Sequence, residues 1–304
     1  MAPPLIFDRS LLRRRRRRAL RLGPETFLLD RVAADFADRL AVVLRRFDLA
    51  ADIGTPTAAV CAALARSGSI GAMIAVDAMH DGAPGLTGDH VAALRVVADE
   101  EALPFADASL DLAVSGLALQ AVNDLPGALV QIRRALKPDG LFVAALLGGD
   151  TLTELRQSFA VAESERDGGA SPRVAPFPDV REMGALLQRA GFALPVTDAD
   201  RVTVRYATPI RLLRDLRRMG AANPLVERRR VPLRRAILMR AMEVYGARFA
   251  DADGKVRASF DIIWLSGWSP HASQQQPLRP GSAKARLADA LGSTEIAAGE
   301  KPER

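Results

Sequence analysis

Three carboxylates stand in series at the ends of apolar runs. Asp52 lies at the end of Leu49–Ile53, Asp77 follows Ile70–Val76, and Asp99, with Glu100 beside it, follows Val91–Val97. A carboxylate accepts two hydrogen bonds at once, which suits it to grip the paired hydroxyls of a ribose or the exocyclic amine of a purine. Gly54 follows two residues after Asp52, and 23 positions separate it from Asp77, the interval that a loop, a helix and a strand require. Ser115 sits in a fourth apolar run, Asp111–Leu119. Taken singly, each aspartate reads equally well as a turn residue or a helix cap. The ordered set is what points to a nucleotide-type cofactor.

The elements that must position these residues alternate regularly. After an arginine-rich stretch at 8–22 and an amphipathic helix over 25–47, apolar runs predict strands at Leu49–Ile53, Ile70–Val76, Val91–Val97, Asp111–Leu119 and Leu141–Leu147. Helical spacing marks the segment after Gly54, Leu125–Leu136 and Val180–Phe192, the last closed by Gly191; Lys137-Pro138-Asp139-Gly140 reads as a helix stop and a turn. Strands apolar along their whole length, separated by helices, predict a parallel sheet covered on both faces. Arg201–Tyr206 and Ser259–Trp268 add two further strands, with an arginine-rich helical insert over 209–249 between them. Asp150 is expected to cap a helix beginning near Thr151, with Glu154 completing the cap.

The expected organisation is a basic helical cap at 1–46, a core at 47–207, an insert at 208–255, a last core strand at 256–270 and a disordered tail at 271–304. Hydrophobic residues make up 49% of the 304 residues, enough for a large buried core. The lone Cys61 excludes an internal disulfide and a cysteine zinc site and suggests a reducing compartment. Only His80, His90 and His271 are available as imidazole ligands, so no metal centre is expected. No apolar run approaches the roughly 20 residues that span a bilayer, and no signal-peptide apolar region is seen. The expectation is a cytoplasmic protein, at most peripheral at the inner membrane.

With these residues in place, the chain resembles the class I S-adenosylmethionine (SAM)-dependent methyltransferases. Within them it resembles, as a bacterial member, the complex I assembly factor group, whose mitochondrial member is a protein-arginine hydroxylase. The matching segments are FDRSLLRRRRRRAL (7–20), VADEEALPF (97–105), LPGALVQIRRALKPDG (125–140), GGDTLTELRQSFAVAESERDGGASPRVAPF (148–177) and IIWLSGW (262–268). The resemblance implies a Rossmann-like α/β fold with a seven-stranded methyltransferase sheet, helices on both faces, an N-terminal helical cap and a helical insert before the last strand. It implies SAM as cofactor, with Asp77 on the ribose, Asp99 and Glu100 facing the adenine, Asp52 and Gly54 against the methionine part, and the segment from Ser115 to Asn123 beneath the transferring group. It implies a protein substrate, a complex I subunit modified at arginine.

Two departures from the family pattern bear on that expectation. The glycine positions of the cofactor loop are Gly54, Pro56 and Ala58, so two of the three glycines are replaced. Glycine lets a ligand approach the backbone, whereas proline fixes φ and removes an N–H. Gln120-Ala121 stands where the family has a His-Trp pair. Three readings therefore stay open: an enzyme that modifies a protein through a weakened SAM site, a non-catalytic assembly protein on the same fold, and a methyltransferase of small molecules or acyl carriers.

Six consecutive arginines, Arg13–Arg18, and a second cluster at 228–230 and 234–235 suggest solvated helix faces, an acidic partner surface or anionic lipid headgroups. Nucleic acid is not expected, because aromatic residues make up only 5% and no recognition motif accompanies the charge. Tyr206, Met219 and Tyr245 are candidates for a substrate pocket under the insert.

Overall fold

A computed structural model of the chain describes residues 5–79, 92–275 and 287–294. His80, His90 and the start of the third expected strand at Val91 lie outside the described residues, as does most of the expected tail. The chain divides into two units, 1–270 and 271–304. The second contributes one short helix, Leu287–Leu291, to the described residues.

The first unit is built on a seven-stranded sheet. Its strands are β1 (Phe47–Ile53), β2 (Ile70–Asp77), β3 (Ala92–Val97), β4 (Leu110–Gly116), β5 (Leu136–Gly148), β6 (Ala193–Tyr206) and β7 (Val256–Trp268). Their spatial order is β3-β2-β1-β4-β5-β7-β6. The first five run parallel, and β7 lies antiparallel between β5 and β6. The order reverses between β1 and β4, so the crevice for a ligand opens at the carboxyl ends of those two strands.

The central strands carry side chains that are apolar on both faces, as burial beneath helices on each side requires. Leu112 and Val114 of β4 enter one core with Val32 and Phe36, while Ala113 faces the other with Leu129 and Ile132. Helix α1 (Arg9–Arg21) is capped by Asp8, whose Oδ1 accepts from Leu11 N at 2.9 Å. Helix α2 (Phe27–Ala41) buries Leu28, Leu29, Val32, Ala33, Phe36 and Leu40 at helical spacing. Helices α3 (Ala59–Ala65), α4 (Leu125–Ala135), α5 (Thr153–Asp167) and α6 (Val180–Arg189) follow, with α7 (Pro209–Arg218) and α8 (Arg235–Phe249) between β6 and β7.

Three local expectations are corrected. The second helix stops at Ala41, and Phe47 already belongs to β1, where its ring is fully buried. Lys137-Pro138-Asp139-Gly140 lies inside β5 as a register shift: Leu136 pairs with Leu110 and Leu141 with Leu112, and between them Asp139, at φ 62°, donates its N–H to Ser269 O beside β7. Asp150 and Glu154 do not form a capping box. Helix α5 starts at Thr153 behind Leu152, which takes φ 56°. Asp150 is drawn away to Arg201 at 3.1 Å, and the buried Glu154 accepts from Ser259 N at 3.2 Å and from Ser259 Oγ at 2.6 Å. Contacts made across the sheet outweigh the local cap.

Candidate functional site

The loop after β1 is tied down by its own side chains. Thr55 Oγ1 donates to Asp52 Oδ1 and accepts from Gly116 N at 2.9 Å, which bolts the loop to the end of β4. Cys61, on the first turn of α3, donates its thiol to Asp52 Oδ2 at 3.1 Å. Asp52 is buried, and desolvation pushes its pKa up to about 6 despite the two donors. Burial and the adjacent Asp52 likewise push the Cys61 thiol far above its ordinary value. Pro56 sits in the loop three residues ahead of α3, not in the helix's first turn, and Ala58 is its N-cap.

Gly54 takes φ +73° and donates its N–H to Val76 O at 2.8 Å, joining the loop to β2. Asp77 closes β2, and its Oδ1 accepts from Met79 N at 2.9 Å. Burial raises its pKa, with the Met79 N–H and Arg16 opposing. Ser115 is fully buried and donates its hydroxyl to Ile53 O at 2.7 Å, so it bridges β4 to β1.

Asp99 and Glu100 meet residues of α1. Arg9 lies 2.6 Å from Asp99 Oδ1, pairs with Glu100 and reaches Glu101 Oε1 at 3.0 Å. Arg13 pairs with Asp99, and Arg16 stands 3.7 Å from Glu100. Burial alone would raise the Asp99 pKa, but the Glu101 N–H, Arg9 and Arg13 together hold it below the usual carboxylate range. Arg9 is also partly buried, and the three carboxylates outweigh its desolvation and raise its pKa. Asn123 fixes the chain ahead of α1: its Oδ1 accepts from Ile6 N at 2.9 Å and Phe7 N at 2.8 Å, and its Nδ2 donates to Phe7 O at 3.1 Å.

Sequence reasoning found the carboxylates and missed the residues that answer them. Arg9, Arg13 and Arg16 fall at i, i+4 and i+7, one face of a helix, and that spacing was the available signal. Thr55 and Asn123 carried no comparable signal, since their roles arise only from the fold. The second arginine cluster is also engaged internally: Arg228 lies 3.1 Å from Asp8, Arg234 lies 3.1 Å from Asp167, and Arg229 pairs with Asp167.

Whether SAM fits this arrangement can be tested at Gly54. A Cβ added there would stand 2.6 Å from Glu100 Oε1, so the space over the glycine backbone is filled by that carboxylate. Asp52 is also fully engaged within the chain, by Thr55 and Cys61. In this conformation the Glu100 carboxylate fills the space over Gly54 that the expected cofactor would use. Among the described residues no group of three or more histidine, cysteine, aspartate or glutamate side chains could hold a metal ion.

Beside the carboxylates lies a cavity of about 330 Å³, enclosed by α1, α2, α5 and α7 and reaching the loop at Pro56 and Thr57. Its wall includes Met219 but neither Tyr206 nor Tyr245. Tyr245 is buried and donates its hydroxyl to Arg257 O at 2.8 Å. Gln120 lines the cavity where the family pattern has histidine: its Nε2 donates to Leu117 O at 2.7 Å, and its buried Oε1 has no hydrogen-bond partner.

A family profile described as "Methyltransferase domain" matches residues 51–144. Among solved structures, the BH2331 protein of Bacillus halodurans superposes with a TM-score of 0.53 at 15% identity, covering 78% of this chain and 99% of that one. The YcgJ protein of Bacillus subtilis gives 0.52 at 15% identity, covering 78% and 98%. Both show the fold. Mitochondrial arginine-hydroxylase NDUFAF5 of Danio rerio is 38% identical over 93% of this chain and 89% of its own length. The Homo sapiens protein of the same name is 40% identical over 91% and 81%. Malonyl-[acyl-carrier protein] O-methyltransferase of Xylella fastidiosa matches less of the chain, at 39% identity over 58% of it and 57% of the relative. Identity that runs through the cap, the sheet and the insert alike shows that the chain belongs to the arginine-hydroxylase NDUFAF5 family of methyltransferase-domain proteins.

Proposed function

We propose that this protein acts on a protein target, a subunit of respiratory complex I, and modifies an arginine of it. The observation that carries the reading is the extent of similarity to arginine-hydroxylase NDUFAF5, which spans 93% of the chain for the Danio rerio protein and so reaches far beyond the matched domain at 51–144. The cofactor in this reading is SAM, held weakly because Pro56 and Ala58 replace loop glycines and Glu100 stands over Gly54. Co-purification of the tagged protein from cells, followed by mass spectrometry of arginines in the captured subunits, tests it. The expected result is a complex I subunit whose arginine modification disappears when the gene is deleted. Capture of such a subunit with no modification lost on deletion would remove the enzyme reading.

A second reading is favoured by one feature, the carboxylate over Gly54. It supports a non-catalytic assembly protein that keeps the fold and has closed its cofactor groove. Calorimetry with SAM and its demethylated product separates the two readings: no heat at millimolar ligand supports the assembly role.

A further inference from the structure

We propose that the outer faces of α1 and α7 together form a docking surface for an acidic helical segment of a protein partner. Exposed arginines make it: Arg14, Arg18 and Arg21 on α1, and Arg211 and Arg214 on α7. Among the described residues none of these side chains makes an ion pair or a hydrogen bond, whereas Arg9, Arg13, Arg15, Arg16 and Arg218 beside them are engaged. None of them lines the cavity or meets Asp99 or Glu100, so the surface is separate from the carboxylate groove and from the chamber next to it.

The fold sets the two helices side by side. Helix α1 turns Leu12, Arg16 and Ala19 inward, and α7 turns Leu212 and Leu216 inward. Their C-terminal ends meet: Arg218 Nε donates to Gly23 O at 2.8 Å, and a Cβ on Gly220 would stand 3.0 Å from Arg16 Cα. The outward faces carry one sign of charge, since α1 has no acidic residue and α7 has only the half-buried Asp215. A helix dipole favours cations in the last turn, which accounts for Arg18 and Arg21 but not for Arg14, Arg211 or Arg214. Like charge left unanswered destabilises the compact state, and a partner of opposite sign relieves it. The repulsion registers at Arg15, where burial, Arg228 and Arg14 together hold the pKa below its ordinary value against the pull of Asp8.

Charge and spacing define the occupant. Arg14, Arg18 and Arg21 fall at i, i+4 and i+7, a single stripe along about 10 Å of helix. A partner helix with carboxylates at that spacing, lying alongside α1, meets all three, as flanking charges do between the helices of a coiled coil. Each guanidinium takes a carboxylate through two hydrogen bonds at once. A lipid surface fits less well, because neither helix exposes a large apolar side chain to insert among acyl chains. A nucleic-acid strand also fits less well, because neither helix carries an aromatic ring on which a base could stack.

The test is fluorescence anisotropy of the full chain with a labelled alanine-based peptide of about 18 residues, long enough to be helical in water, that carries glutamates at i, i+4 and i+7. Its glutamine counterpart, phosphatidylglycerol vesicles and a single-stranded oligoribonucleotide of equal charge serve as competitors at about 0.1 M salt. The glutamate peptide is expected to bind saturably, with the glutamine peptide weaker by about tenfold or more, the scale of three exposed ion pairs. Replacing Arg14, Arg18 and Arg21 together by glutamine is expected to remove that preference, and Arg211→Gln with Arg214→Gln to weaken it severalfold. Thermal melting checks that these surface variants stay folded. Arg230, Arg235 and Arg248 are exposed elsewhere on the chain, and replacing all three by glutamine removes the same charge as the α1 variant. That control is expected to keep the parent's affinity within about twofold. Absence of saturable binding, equal binding of the two peptides, an equal loss in the control, or tighter binding by the vesicles or the oligonucleotide would each overturn the proposal. Because no modification is read, its failure leaves the arginine reading untouched.

Discussion

Glu100 folds its carboxylate over Gly54, so that a Cβ on the glycine would lie 2.6 Å from Glu100 Oε1. Gly54 is also at φ +73°, where any other residue is strained. The position thus keeps the backbone freedom of a glycine loop while the space over it is filled by a carboxylate. Arg9 and Arg16 hold the cover down from α1. Access to the groove is set by residues that are outside the loop.

Replacing Glu100 by alanine is therefore expected to raise affinity for SAM and for its demethylated product by about tenfold or more. Arg9 retains Asp99 at 2.6 Å and Glu101 at 3.0 Å, so the cap keeps its seat. Isothermal calorimetry on the variant and the parent measures the change. Equal affinities would mean that Glu100 swings out of the groove without cost.

Restoring glycine at Pro56 and Ala58 acts on the same groove. Each change frees backbone, at a stability cost of roughly 0.5–1 kcal/mol through the unfolded chain. In the parent background little gain in SAM affinity is expected, because Glu100 still covers Gly54. Combined with Glu100→Ala, the glycines are expected to add a further severalfold. The coupling in that double-mutant cycle is the measurement, and strict additivity would separate the loop from the cover.

The expectations from sequence succeeded where signals were local and failed where partners were distant. The parallel strands were legible because their side chains are apolar along the whole length, a pattern only burial on both faces explains. The carboxylates were legible because strand ends are where such residues collect. The opening of β5 was not: Lys137-Pro138-Asp139-Gly140 spells a turn, and only the pairing of Leu136 with Leu110 and of Leu141 with Leu112 on either side carries the strand across it. The cap on α5 failed similarly, since the Asp150 carboxylate pairs with Arg201 at 3.1 Å from 51 residues away. Arg9 and Arg13 find their carboxylates 91 and 86 residues along the chain, a separation no helical period reveals.

Asp52 gives a pH signature. Its pKa rises from 3.8 to about 6 in the folded protein, so between those values the folded state binds the proton more tightly than the unfolded chain. Stability contributed by this group therefore falls as pH rises through about 4 to 6, by up to about 3 kcal/mol. Carboxylates with lowered values, such as Asp99 and Glu163, act in the opposite sense, losing stability as pH falls. Asp52→Asn keeps an acceptor for Thr55 and does not titrate. The variant should gain stability relative to the parent as pH rises through that window, in urea titrations at pH 4, 5, 6 and 7. A constant difference across the series would show that Asp52 has an ordinary pKa.

Glu163 organises the segment 168–177 that closes the cavity. It is fully buried, and it accepts from Ser171 N at 2.7 Å, Ser171 Oγ at 2.8 Å and Arg173 Nε at 2.8 Å. Removing the cation leaves a buried carboxylate with only neutral donors. Arg173→Ala is expected to cost about 3 kcal/mol, which for a chain of this size lowers Tm by on the order of 10 °C. Glu163→Gln with Arg173→Met should recover much of that loss, because the unpaired charge is gone. Scanning calorimetry on the three proteins tests the order, and a double variant less stable than Arg173→Ala would refute it.

The six arginines at 13–18 make the last prediction. Free in solution, six basic side chains near an anionic bilayer gain about 1 kcal/mol each. In the folded protein Arg13 pairs with Asp99, Arg15 donates to Asn223 O, Arg16 is buried and Arg17 is half-buried, which leaves Arg14 and Arg18 exposed. Binding of the whole protein to anionic vesicles is therefore expected to be weak and to vanish at moderate salt. A peptide of residues 7–22, with every arginine free, is expected to bind the same vesicles on the order of 100-fold more tightly. Co-sedimentation with phosphatidylglycerol vesicles compares the two directly. If the intact protein binds as tightly as the peptide, α1 leaves Asp99 and Glu100 at the membrane, and the cover over Gly54 opens with it.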